Sequence, residues 1–244
     1  MIRNAALVLG LTVCLGAHPV RAEGVSYSGT LSRSGANANG RLFITGPDWN
    51  SPYLDPTLSW TVDNTTTPGK WHYAYTVTVA GETNRSGIQY VIVEAADSGN
   101  NDRTFMTDDL FLPESTSADW LIMTQIGLFP AGSRRCLPRD VHGVEFATLT
   151  KGPTTLTIRF DSDFGPAWGA FYAQSPTVGD ESNALYNAGM LLPRPAEPPQ
   201  NGSIGSNVLV PDSDPNEFLV PAPGGMVLGA VGVLVAGWLR RRWL

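Results

Sequence analysis

Alternation of apolar and polar side chains with a period of two is the feature that most limits what this chain can fold into. Trp71, Tyr73, Tyr75, Val77 and Val79 fall on one side of a run whose other side carries Lys70, His72, Ala74, Thr76 and Thr78. Leu58, Trp60 and Val62 alternate with Thr57, Ser59 and Thr61, and Leu156, Ile158 and Phe160 with Thr155, Thr157 and Arg159. Successive side chains of a strand point to opposite faces, so each run predicts a strand with one buried and one wet face, as antiparallel sheets have. Ile88 to Glu94 and Val144 to Leu149 are further β-rich runs, and residues 119–127, with Trp120-Leu121-Ile122-Met123 near their start, read as a strand, with a short helix as the alternative. Residues 64–69, 80–82, 97–102 and 151–153 are rich in turn formers. Short strands with frequent turns and no long helical pattern predict an all-β fold, an antiparallel β-sandwich or jelly-roll-like domain over residues 23–193.

The two ends differ from this body. Arg3 precedes an apolar stretch from Ala5 to Gly16, and Val20-Arg21-Ala22 places small residues around a cleavage point after Ala22. This reads as a secretory signal peptide, residues 1–22, too short in its apolar part for a stable membrane span. Val13 before Cys14 lacks the small side chain that a lipidated cysteine needs in front of it. At the other end, Val220-Pro221-Ala222-Pro223-Gly224-Gly225 leads into an apolar run, Met226 to Leu239, followed by Arg240-Arg241-Arg242. A spanning helix takes about 20 residues, and Gly229, Gly232 and Gly237 weaken this shorter one. The arginines would stay on the cytoplasmic side. A short, weakly held span suits a tail that an enzyme cuts.

Residues 219–244, with Val220, Pro221, Ala222 and Pro223, the apolar helix and Arg240, Arg241 and Arg242 in that order, resemble the PEP-CTERM sorting signal of Gram-negative bacteria, in a Pro-Ala-Pro variant where the family most often has Pro-Glu-Pro. The resemblance implies processing by an exosortase, a membrane cysteine transpeptidase. It also implies export through the inner membrane to the cell envelope, surface or extracellular matrix.

Without both ends, residues 23–218 hold all 22 acidic residues and 11 of the 16 basic ones, a formal charge of −11. An acidic surface of this kind does not bind nucleic acid electrostatically. Cys136 is the one cysteine left once the leader is gone, which rules out an intramolecular disulfide. It reads as a structural residue, although Arg134 and Arg135 would lower its pKa if it were exposed. Residues 194–218 combine Pro195, Pro198, Pro199, Pro211 and Pro215 with an acidic patch, the composition of an extended spacer; Val208-Leu209-Val210 offers one short additional strand.

Asp161 to Ala173 is the most distinctive internal segment. With Ser162-Asp163, Pro166, Trp168-Gly169 and Phe171-Tyr172-Ala173, followed later by Asn187-Ala188-Gly189, it resembles a stretch recurring in PEP-CTERM proteins with an all-β body. The resemblance implies a shared exported β-domain, in which this segment would be a strand–turn–strand closing the sandwich with Trp168 and Phe171 at its core or rim.

Three chemistries compete with a purely structural body. Trp49, Tyr53, Trp168 and Tyr172 supply rings of the kind that stack on sugars, so a carbohydrate (exopolysaccharide)-binding module is the alternative function. Asp97, Asn100 and Asp102 alternate oxygen ligands around Gly99, a weak calcium pattern that Asp161 and Asp163 would extend. Catalysis has the least support. His72 reads as solvent-facing, His142 lies in an apparent turn, residues 139–143, and no nucleophile-elbow, zincin or Cys-x-x-Cys motif occurs. A secreted hydrolase would need a carboxylate pair assembled by folding. The expectation is a non-catalytic exported protein with no cofactor.

Overall fold

The structure, a computed structural model, describes residues 24–34, 40–79, 87–95, 105, 107–111, 123–148, 152–178 and 181–213. The leader, the cleavage point at Ala22, the sorting motif at Val220–Pro223, the apolar tail and Arg240–Arg242 lie outside these residues, as do Asp97, Asn100 and Asp102. Among the described residues no helix is long and apolar enough to cross a membrane.

The chain is all-β and antiparallel. Its strands are β1 (Ser26–Ser32), β2 (Leu42–Thr45), β3 (Thr57–Asp63), β4 (Trp71–Thr78), β5 (Tyr90–Glu94), β6 (Met123–Phe129), β7 (Val141–Ala147), β8 (Thr155–Ser162), β9 (Pro166–Gly169), β10 (Phe171–Gln174), β11 (Ala184–Asn187) and β12 (Val208–Pro211). Four strands form a sheet in the order β1-β3-β4-β8, six form a second in the order β2-β11-β10-β5-β7-β6, and β12 pairs with β9.

The two larger sheets share one core, in a sandwich-like arrangement. From the first come Leu58, Trp60, Val62, Tyr73, Tyr75, Val77, Leu156, Ile158 and Phe160; from the second, Val91, Val93, Val144, Phe146, Phe171, Ala173 and Leu185. These are the residues that the period-2 patterns of β3, β4 and β8 assign to one side. Aromatic rings bridge the sheets, Phe160 lying 5.7 Å from Phe146 and Tyr75 5.8 Å from Phe171, while Phe160 and Tyr73 stack within the first sheet at 5.2 Å. Such spacings are those of attractive aromatic pairs. The two buried phenols keep partners, Tyr73 donating to the Phe164 carbonyl (2.8 Å) and Tyr75 to that of Leu209 (2.7 Å). Burial pushes both phenols well above their ordinary pKa, so they stay protonated donors. Gly29 stands opposite Trp60 in the β1–β3 register, and a Cβ there would collide with the indole ring.

The expectation of one wet face per strand fails in the middle of the six-stranded sheet. In β5, β7 and β10 nearly every residue is buried. A second, smaller apolar cluster covers the outer face, made of Ile92, Phe129, Leu137, Val141, Ala170, Tyr172, Ala184 and Met190. Leu137 comes from the loop between β6 and β7, and Met190 from the 3₁₀ turn Ala188–Leu191. Residues 123–127 of the stretch read as a strand lie in β6, while 119–122 fall outside the described residues. His142, placed in a turn by sequence, lies in β7.

The spacer reading is corrected over residues 194–213. Val208, Leu209 and Val210 are fully buried in the main core, β12 touches β3 and β5, and Asp212 donates its backbone N–H to the Gly165 carbonyl (2.8 Å). A proline-rich segment costs little entropy to order because its φ angles are already restricted. Here it supplies a strand and a strap rather than a stalk.

Two outcomes test this architecture. Phe160→Ala removes a fully buried ring shared by both sheets and should cost about 3–5 kcal/mol in urea denaturation. At the end of β3, the Asp63 carboxylate accepts from the backbone N–H groups of Thr65 (2.9 Å) and Thr66 (2.7 Å) and from both hydroxyls (2.9 and 3.0 Å). Partial burial pushes its pKa up, but these four hydrogen bonds outweigh it and hold the carboxyl below its ordinary 3.8. A folded-state pKa below the unfolded one gives stability that is complete above the unfolded value and lost as pH falls through the folded one. The Tm difference between Asp63→Ala and the parent should therefore be full at neutral pH and close near about pH 2; a gap equally wide at both would contradict the turn's role.

Candidate functional site

The four aromatic residues read as a sugar platform do not share a face. Trp49, Trp168 and Tyr172 are at most 1% exposed, while Tyr53 is 93% exposed. Trp49 and Trp168 belong to the main core and Tyr172 to the outer cluster. Trp168 lies under the proline-rich strap, donating its indole N–H to the Glu197 carbonyl (2.9 Å). A cavity of about 230 Å³ beside it is lined by Ala167, Arg194, Pro195 and Pro198. Ring stacking on an apolar sugar face needs exposed rings, which three of these four do not offer.

The distinctive segment from Asp161 has a structural job. It carries the chain from the four-stranded sheet through β9 into β10 of the other. A backbone passing through the core needs partners for its N–H groups. Asn187 and Glu94 supply them. The Asn187 side-chain oxygen accepts from Phe171 N–H (2.8 Å), and its amide donates to the carbonyls of Ser206 (2.9 Å) and Gly169 (3.3 Å). Glu94 accepts from Ala170 N–H (2.7 Å) and from the Arg139 guanidinium at 2.8 and 2.9 Å. Gly189 completes the Asn-x-Gly element: a Cβ there would stand 2.6 Å from the Asn207 side chain. Trp168 and Phe171 are thus core, and the residue types of this segment answer to packing.

The ionisable groups are mostly engaged. His72, expected to face solvent, is largely buried, with Nδ1 2.6 Å from the Asp161 carboxylate; the other oxygen of Asp161 accepts from the Thr67 hydroxyl (2.8 Å). Cross-strand partnership explains the correction, because β4 and β8 set His72 directly opposite Asp161. Lys70 pairs with Asp163 (2.7 Å) and stands 3.5 Å over the Phe111 ring. Both oxygens of Asp161 are thus engaged, and one oxygen of Asp163 accepts from Lys70. Among the described residues no three His, Cys, Asp or Glu side chains converge as a metal site.

Sequence reasoning missed a polar constellation on the six-stranded sheet. On the outer face of the six-stranded sheet, Arg134 donates to both oxygens of Glu145 (2.8 Å each), and its guanidinium lies 4.9 Å from the Tyr90 ring centre. Glu145 is 1% exposed. The fork, above all its hydrogen bonds to Glu145, raises the Arg134 pKa despite partial burial. Next to it the Tyr172 hydroxyl donates to the Arg135 carbonyl (2.6 Å) or to the Gln174 side-chain oxygen (2.8 Å), and burial first, then the neighbouring Cys136, pushes that phenol far up. Cys136 itself is exposed and adopts φ 58°, the left-handed region, at the tip of the loop. It is not the buried hydrophobe that a structural reading of a lone cysteine favours. Charged residues eleven apart on a loop and a strand carry no local signal of pairing; only the fold of the loop back over β7 joins Arg134 to Glu145.

Arg134→Ala should leave Glu145 with its charge unmatched and cost about 3 kcal/mol in chemical denaturation, with Arg134→Ala/Glu145→Gln recovering part of it. Equal stabilities of the parent and Arg134→Ala would mean that the fork contributes nothing. Comparison of this chain with protein-family models, with curated proteins and with solved structures gave no match in any of the three.

Proposed function

We propose that this chain is an exported, non-catalytic component of the bacterial cell envelope or extracellular matrix, delivered by its leader and sorted through its C-terminal tail. In this reading an exosortase-type transpeptidase acts at Val220-Pro221-Ala222-Pro223 while the short helix from Met226 sits in the membrane and Arg240, Arg241 and Arg242 stay in the cytoplasm. The observation that carries it is the order of three elements at one end of the chain: a proline-rich break, an apolar run too short for a comfortable span, and an arginine cluster. A leader-like start and a body with formal charge −11 between the signals support it. The body serves as a jelly-roll-like cargo between the leader helix and the tail helix.

The test is mass spectrometry of the protein recovered separately from membranes, envelope and medium. The expected mature chain starts at Glu23 and, outside the inner membrane, ends before Arg240. Protein collected from the medium with its arginine tail intact would remove the sorting step, and a cytosolic chain with Met1 still attached would remove export. Replacing Arg240, Arg241 and Arg242 with glutamine should shift the protein from the envelope fraction to an unprocessed form.

A further inference from the structure

The proline-rich strap ends in β12, and β12 decides where the body stops and its tether begins. Val208, Leu209 and Val210 are wholly buried in the main core, and β12 pairs with β9 from Val208–Gly169 to Pro211–Pro166. The next two residues stay inside. Asp212 is 4% exposed and donates its N–H to the Gly165 carbonyl (2.8 Å), and Ser213 is 1% exposed. Upstream, the strap is tied to both sheets. Gly202 N–H donates to the Ser28 carbonyl on β1 (2.8 Å) and Ser28 N–H to the Asn201 side-chain oxygen (2.9 Å), while the Ser206 hydroxyl accepts from Arg41 N–H beside β2 (3.0 Å). A pull on the tail therefore acts on a strand held in the core and draws no length from the strap behind it.

Chain length then sets a limit. Twelve residues, 214–225, separate Ser213 from Met226, where the apolar run begins, and six, 214–219, separate it from Val220. At full extension they reach about 40 Å and about 20 Å. An extended spacer over residues 194–225 would have reached about 110 Å. A compact domain of about 190 residues has a radius of gyration of about 16 Å, hence a diameter of about 40 Å. The tether is thus no longer than such a body is wide.

We propose that, while the tail is in the membrane, the body sits within its own diameter of the membrane face, with no stalk between them, and that the end of the sandwich around Gly165 is the end nearest the membrane. That end carries Lys70, which pairs with Asp163 (2.7 Å) and stands 3.5 Å over the Phe111 ring. An enzyme acting at Val220–Pro223 meets these side chains. The placement rests on the membrane reading of the tail; the root of the tether at Ser213 does not.

Energy transfer in vesicles tests it. The chain from Glu23 onward has one cysteine, the exposed Cys136. A donor dye placed there reports its distance from acceptor-labelled lipid in vesicles of phosphatidylethanolamine and phosphatidylglycerol. The parent should show strong transfer. A Gly/Ser insert of about 20 residues, adding about 25 Å of reach, should lower that transfer when placed after Ser213. The same insert between Pro199 and Gln200, upstream of β12, should leave it unchanged, and loop insertions of this kind cost little stability. Equal loss of transfer from the two inserts would overturn the placement, because the strap and not β12 would then carry the tether. No change from the insert after Ser213 would overturn it too, since the tether would not then set the distance. A parent chain that fails to associate with the vesicles would remove the membrane reading itself, and the placement with it.

Discussion

Of the three passages of the chain from the first sheet to the second, the one between Ser162 and Phe171 ties both the shared core and β12 together, because β9 lies within it. Phe160 at one end and Phe171 at the other both point into the shared core. The connection between them is buried, so its backbone must find partners without water. Asn187 and Glu94 provide them, fixing Phe171 and Ala170 at 2.8 and 2.7 Å. A buried N–H deprived of its acceptor costs about 1–3 kcal/mol, and two such losses would be a large part of a typical domain's net stability. Because Asn187 also holds the Ser206 carbonyl, the same side chain ties in the approach to β12.

That arrangement accounts for the placement of charge. Glu94 and Glu145 are both nearly inaccessible, and each is met by an arginine from the loop between β6 and β7, Arg139 and Arg134 respectively. The loop thus covers the outer face with Leu137 and closes it with the Arg134–Glu145 fork and with one Arg139 nitrogen set against both oxygens of Glu94. Buried ion pairs of this sort contribute little net stability against an apolar replacement, but losing one partner is expensive. They specify which way the loop lies. Covering both faces of β5, β7 and β10 makes the centre of the six-stranded sheet a three-layered structure, with the loop as its third layer.

The proposed division of labour follows from these two levels. In the proposed reading, destination would be carried by the ends, as short linear signals outside the described residues. Most aromatic residues of the described body serve its packing. Trp168 is the clearest case: a ring of the type used to stack on sugars is closed over by Pro195 and Pro198 and bonded to a backbone carbonyl.

Local spacing alone determined β3, β4 and β8 and the core side of each, because a two-residue period has one geometric solution on a pleated strand. It also determined the turn after β3, where Asp63 and two threonines close a hydrogen-bonded loop, and the short strand at Val208–Val210 was visible as an apolar island. Only the tertiary structure decided which sheet each strand joins, that Tyr53 is bare while Trp49 is buried, that His72 meets Asp161 and Arg134 meets Glu145, and that residues 194–213 pack onto the body. These outcomes rest on contacts between segments tens of residues apart in most cases. Such contacts depend on register and on which surfaces remain uncovered after the sheets form, and neither is encoded in the spacing of neighbouring side chains.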